Sequence, residues 1–256
     1  MYITCLVNLK GGSGKTTTAF QLAGAFAEQG KSVLVIDLDP QRTISQNLLG
    51  VQPQDPPLSR ILIEGKSIAP LISRSHLDGI AVIPADQGLR SIQAGLSGEV
   101  GIELRLSHAL AGIEGFHYCF IDCPPALDRL TLNGLIAAHY AIVPVDPGAL
   151  GRETLGVTLQ YIEQTRRWHN PGLEVLGLLI ANVRLHTVYH QQVTHLLRQT
   201  YGHLLFDTII PSTIRIAESA ERQLPLVFLP PYLYGQYAAL YRKLAREIET
   251  RITRRR

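Results

Sequence analysis

The chain is poor in the features that mark several large classes of protein. Its 256 residues carry three cysteines, Cys5, Cys119 and Cys123. Three cannot form a paired framework, and they show neither zinc spacing nor a C-x-x-C motif, so they read as core thiols of a protein kept in a reducing compartment. No run of about 18 uncharged apolar residues appears, so the sequence offers no spanning helix. The first residues show no basic region followed by a long apolar stretch and a cleavage site, and a cytoplasmic protein is expected. No internal repeat, low-complexity tract or linker divides the chain, so one domain over 1–256 is expected. Excess charge of one sign is also scarce. The formal net charge is +3 and the pI is near 8.8, while the ending "RITRRR" adds a local basic cluster. That balance permits an anionic partner without requiring one, and a solubilising tail is the plainer account of the ending.

What is present is apolar and periodic. Hydrophobic residues make up 46% of the chain, ample for a buried core. Short continuous apolar runs at 2–8, 32–37, 79–85, 117–123, 140–145 and 175–183 predict strands buried on both faces. Between them, 15–29, 101–113, 127–138, 150–167 and 187–201 predict helices. The alternation implies an α/β fold, doubly wound, with a mostly parallel sheet and helices on both faces. Ligands of such sheets sit at the carboxyl ends of the strands. The stretch 50–78, with "VQPQDPPL", is the least regular, and one or two short surface helices are expected there.

The chemistry concentrates at strand ends. In "NLKGGSGKTTTAF" (8–20) the glycines Gly11, Gly12 and Gly14 lie between a strand and a helix, where backbone N–H groups can approach an anion closely. Lys15 can reach the β- and γ-phosphates of a nucleotide, and the Thr16 hydroxyl can ligate Mg²⁺. One element of the usual phosphate loop is missing. Its first glycine would fall at Leu9, and a second lysine, Lys10, follows instead. In "VLVIDLDPQ", Asp37 and Asp39 are two apart and share a strand face if the strand runs that far. Two acids so placed can hold a metal-bound water and orient an attacking one. Asp122, at the end of "CFIDCPP", has the place of an acid that positions Mg²⁺ directly or through water.

"KGGSGKTTT", "VLVIDLDPQ", "FIDCPP" and "IIPSTIRIAE" together closely resemble the ParA/MinD family of deviant Walker ATPases, and within it the ParA/Soj branch. The resemblance runs in order over roughly residues 2 to 250. It implies a phosphate-loop NTPase fold of the deviant Walker A type, ATP with Mg²⁺, and an ATP-dependent sandwich dimer. It gives Lys10 a role in trans, crossing to the nucleotide of the opposite subunit. Asp39 is then the choice for positioning the attacking water, with Asp37 in a supporting place near the metal. Ser13 and Thr17 complete the phosphate loop, Asn182 stands where the family places an adenine-reading amide, and Pro211 matches a proline that lines the base. A turn-forming residue after a strand is the alternative for Asn182.

The same resemblance implies nonspecific DNA as the partner of the ATP dimer, with Arg215 and Arg184 as candidate phosphate contacts and a ParB-like or other cargo adaptor that stimulates slow hydrolysis. The ATP state is then nucleoid-associated. The chain starts at its first core strand, so no DNA-reading extension is expected. Two departures stand out: His186-Thr187 replaces the Arg-Thr of many relatives, and Arg42 stands where they carry glycine. Other classes fit less well. A MinD-like membrane switch needs a broad apolar face on the terminal helix. Leu240, Leu244, Ile248 and Ile252 form a narrow stripe, better explained by packing onto the domain, so no membrane partner is expected. Cys123, directly after Asp122, does not match the cluster cysteines of an iron protein. A metabolic ligase or kinase would need a substrate pocket that the sequence does not display. His186 and His190 could grip a metal from one helix face but lack an obvious third ligand.

Overall fold

Continuous apolar runs form strands here because both of their faces are covered. The computed structural model describes residues 1–255 except Ser97 and Leu185, with backbone only at 149–152; Arg256, in the basic tail, lies outside the described residues. The strands are β1 (Tyr2–Leu6), β2 (Val33–Asp37), β3 (Ser73–Arg74), β4 (Ile80–Ile83), β5 (Tyr118–Asp122), β6 (Tyr140–Val145) and β7 (Glu174–Ile180). They form one sheet in the order β3-β4-β2-β5-β1-β6-β7. Every pairing is parallel except that of β3 with β4. The mostly parallel, doubly wound sheet expected from the alternating pattern is the one observed.

Neighbouring strand residues feed opposite cores. Ile3, Cys5, Leu34 and Ile36 pack into one cluster, while Leu6, Val33, Val35 and Phe120 pack into the other. The helices are α1 (Lys15–Glu28), α2 (Leu58–Glu64), α3 (Leu89–Gln93), α4 (Arg105–Ala109), α5 (Arg129–Ala137), α6 (Ala149–Trp168), α7 (Val188–Tyr201), α8 (Ile214–Glu221) and α9 (Pro231–Arg254). Residues of α2 to α7 line the first core, and those of α1 and α9 the second. All three cysteines are buried free thiols.

Three local features escaped the periodicity argument. The expected helix 101–113 is a 3₁₀ turn, Ile102–Leu104, running into the short α4, because Gly101 at φ 72° and Gly112 at φ 79° bound it. Thr43–Leu48 forms a single π-helical turn. The two-residue β3 is too short to leave a periodic signal.

Helix α9 lies back on the domain, burying Tyr234, Ala238, Tyr241, Leu244, Ala245, Ile248 and Ile252. Its apolar stripe is therefore a core face, and among the described residues no helix is long and apolar enough to cross a membrane. Close packing between α1 and the segment before α9 is enforced by Gly24, where an added Cβ would fall 2.3 Å from the Pro225 Cβ. Leu244→Ala is expected to lower unfolding free energy by about 2–5 kcal/mol, the range for truncating a fully buried leucine, read from denaturant melts.

Candidate active site

β1 lies between β5 and β6, and the chain leaves it through α1 towards β2 on one side, then crosses from β5 to β6 on the other. The crevice at this reversal is where ligands of such sheets bind. Register decides what faces it: Leu6 and Asp37 both pair with Asp122, so the three strand ends lie level.

The loop after β1 is held by Asn8, which sequence reasoning passed over. Its buried side chain donates from Nδ2 to the Pro144 carbonyl (2.6 Å) and accepts the Lys10 N–H at Oδ1 (2.9 Å). This ties the loop to β6 and bends it back. Gly12 (φ 71°) and Gly14 (φ 94°) take left-handed conformations that side chains rarely adopt. Nothing lies within 4 Å of a Cβ built at Gly11 or Gly12, so open space is kept above the backbone. Gly14 caps α1, whose N-terminal amides favour an anion.

Gly11, Gly12, Ser13, Gly14, Lys15, Thr16, Thr17, Asp39 and Pro125 line a cleft of about 190 Å³. The Ser13 hydroxyl is buried there without a hydrogen-bond partner among the described residues. Lys15 is buried and folds along the loop, its ammonium donating to the carbonyls of Asn8 (3.0 Å) and Lys10 (3.2 Å). Burial pushes its pKa down, and the carboxylates of Asp122 and Asp39 oppose that shift. A second cavity of about 230 Å³ shares Gly12, Gly14 and Thr17 with the cleft and extends past Ala181, Asn182, Pro211, Thr213 and Tyr241. The two joined spaces suit a polyphosphate at one end and a flat ring at the other. Asn182 fits both accounts of it, since its φ of 59° makes the turn after β7 while its side chain borders the second cavity.

The acids divide their work. Asp122 is fully buried, and among the described residues neither carboxylate oxygen has a hydrogen-bond partner within 3.5 Å. Burial raises its pKa strongly and Asp37 adds to the rise, while the nearby Thr16 hydroxyl and Lys15 ammonium act against it. An orphaned carboxylate beside a hydroxyl fits a hard cation such as Mg²⁺, which takes oxygen ligands and keeps several of its waters. Asp37, expected in a supporting place near the metal, pairs in register with Asp122 and has both carboxylate oxygens engaged by the turn that follows β2. Its Oδ1 accepts the Asp39 N–H (2.9 Å), and its Oδ2 accepts the Ser45 N–H (3.0 Å) and hydroxyl (2.6 Å). Burial nevertheless lifts its pKa to about 7. Asp37 thus shapes the turn that presents Asp39, whose own carboxylate borders the cleft.

That turn also sets the backbone at Arg42, but nothing in the structure explains why arginine stands there. Its φ is 58°, a left-handed position at the start of the π-helical turn where glycine is at ease. Lys10 extends along the rim to Asp146, with Nζ 3.2 Å from Oδ2. Asp146 and Ser45 were not anticipated. A lone acid after a strand and a lone serine give no signal until the fold sets them beside partners.

Of the proposed DNA contacts, Arg184 is exposed, and its N–H donates to His190 Nδ1 (3.1 Å). Arg215 is not free: its guanidinium lies 3.0 and 2.8 Å from the two Glu218 carboxylate oxygens and 5.6 Å from the centre of the Tyr234 ring.

Fold and site together define a phosphate-loop nucleotide-binding protein. Residues 1–175 match the family model described as AAA domain. The chromosome partitioning protein ParA of Caulobacter vibrioides is 33% identical over 253 residues, covering 97% of this chain and 94% of that protein. The chromosome-partitioning ATPase Soj of Thermus thermophilus is 36% identical over 247 residues, covering 96% and 95%. A solved structure described as cobyrinic acid a,c-diamide synthase from Mycobacterium smegmatis, with bound ATP analogue and magnesium, superposes with a TM-score of 0.81 at 31% identity, covering 96% of this chain and 92% of that one. The chain belongs to the ParA/Soj family of phosphate-loop ATPases.

Ser45→Ala leaves the buried Asp37 with one acceptor position unfilled and is expected to cost about 1–3 kcal/mol of stability, the usual penalty for a buried polar group left unpaired, measured by chemical denaturation.

Proposed function

We propose that this ATPase is a nucleotide-gated switch on DNA. It works with ATP and Mg²⁺. Loaded with both, it closes into a homodimer through Lys10 and holds DNA by its phosphates without reading base sequence. A ParB-like or other cargo adaptor then stimulates slow hydrolysis and releases the dimer, so the protein is cytoplasmic and follows the nucleoid in its ATP state.

Backbone amides of Gly11 and Gly12, the Ser13 hydroxyl and the Lys15 ammonium cradle the phosphates. Thr16 and Asp122 would hold Mg²⁺, which when bound offsets charge on the phosphate oxygens. Asp39 orients the attacking water from across the cleft. Lys10 of the opposite subunit supplies the positive charge that an arginine finger supplies elsewhere, where negative charge grows in the transition state. Each site is then complete only in the dimer.

The observation that carries the DNA reading is a run of unpaired cations along the β7 edge. Arg184, Arg198, Arg246 and Arg254 are exposed and have no ion-pair partner among the described residues. Val183 lines one shallow cavity with Arg184 and another with Arg198, while Arg246 and Arg254 line a third with Asp207, Lys243 and Glu247. Cations spread along an edge, without a groove-filling helix, suit a phosphate backbone rather than base edges. Arg215 contributes only if its pairing with Glu218 breaks, so Arg184 is the better first substitution.

The test uses Asp39→Ala, expected to bind ATP without turning it over, and a labelled duplex of arbitrary sequence. Binding is expected with ATP and Mg²⁺ only, weakening steeply with salt as phosphate contacts require, and Arg184→Ala should lower both affinity and the salt slope. ATP-driven dimers that ignore DNA but bind vesicles or a protein partner would overturn the DNA assignment. Unchanged hydrolysis in Asp39→Ala would overturn the role given to that acid.

A further inference from the structure

Asp146 is the first residue after β6, and β6 is hydrogen-bonded to β1. The sheet therefore sets it beside the phosphate loop, where Asn8 already joins the two strands through the Pro144 carbonyl. Its carboxylate is fully engaged. Oδ1 accepts the Gly148 N–H (2.7 Å), and Oδ2 faces both the Lys10 ammonium (3.2 Å) and the Asn182 side-chain amide (3.3 Å). Burial pushes its pKa up, but the Gly148 amide, then Lys10 and Asn182, outweigh that and hold it below the usual carboxylate range. The pair is only partly open to water, with side-chain exposures of 21% for Lys10 and 14% for Asp146. Gly148 leaves room for it: a Cβ there would sit 3.4 Å from the lysine Nζ.

An ammonium that serves another subunit must first leave this carboxylate. Exchanging one carboxylate charge for a polyphosphate is favourable because several negative charges replace one. Exchanging it for an empty site is not. Resting on the trans role assigned to Lys10 above, we propose that Asp146 is a positioning residue that keeps Lys10 on its own subunit, so that dimer closure depends on a loaded partner site. The restraint opposes dimerisation twice per dimer, once for each lysine, and is overcome by the opposing triphosphate. It is a coupling between nucleotide occupancy and association, carried by one ion pair.

Asp146→Asn keeps the shape and an acceptor for the Gly148 N–H but removes the charge. Asp146→Asn, Lys10→Ala and their combination are made in the full chain with Asp39→Ala, and dimer formation with ATP and Mg²⁺ is followed across protein concentration by sedimentation velocity. Asp146→Asn is expected to lower the concentration of half-dimerisation about tenfold, since two ion pairs of modest strength no longer have to break. A merely structural role would lower the melting temperature and weaken the dimer, so tightening at unchanged melting temperature separates the two. In Lys10→Ala, Asp146→Asn should have no further effect, closing a double-mutant cycle. An unchanged or raised half-dimerisation concentration overturns the proposal, as does a tightening that persists without Lys10. If Lys10→Ala alone dimerises as well as its parent, the trans role itself fails and the proposal with it. Dependence on Lys10 without any effect of Asp146→Asn overturns the proposal alone.

Discussion

The parallel register that sets Leu6, Asp122 and Asp37 side by side is the constraint on which the site depends. It brings the end of β1, where the phosphate loop starts, level with two buried acids from strands that are distant in sequence. Asn8 then pins the loop to the other flank through Pro144. A one-residue slip in β2 or β5 would turn its acid to the opposite face. The continuous apolar runs of β1, β2 and β5, buried on both faces, are what make such a slip costly.

The register also concentrates charge where water is excluded. Lys15, Asp37 and Asp122 are all buried within the same few strand ends. Burying ionisable groups costs free energy unless they are paired and hydrogen-bonded. Asp37 is hydrogen-bonded by Ser45 and the Asp39 amide; Asp122 has no such bond among the described residues. The unmet requirement is the sign of function, since a cation arriving with a nucleotide satisfies what the folded chain leaves open. Rigidity and incompleteness are thus divided between two neighbouring acids on adjacent strands.

Much of the fold was legible because its signals are local. Buried strands of a parallel sheet announce themselves as uninterrupted apolar runs, and glycines at 11, 12 and 14 before Lys15-Thr16 define a phosphate loop within one short stretch. Short elements were not legible. The π-helical turn at Thr43–Leu48 is held by Asp37 of β2, which accepts both the N–H and the hydroxyl of Ser45. The left-handed backbone at Arg42 was not legible either, because it is imposed by the Asp39 turn.

The sequence by itself determined the fold class, the phosphate loop and the strand-end acids, because each rests on residues close together along the chain or on periodicity; the resemblance to the ParA/Soj family rests instead on motifs spread in order along the whole chain. Only the tertiary structure decided which of those acids is free and which is spent. It showed Asp37 occupied with Ser45, Asp122 without a hydrogen-bond partner among the described residues, Arg215 paired with Glu218, and Lys10 held by Asp146. A side chain's chemistry follows from its type, but its availability follows from what the folded chain places beside it.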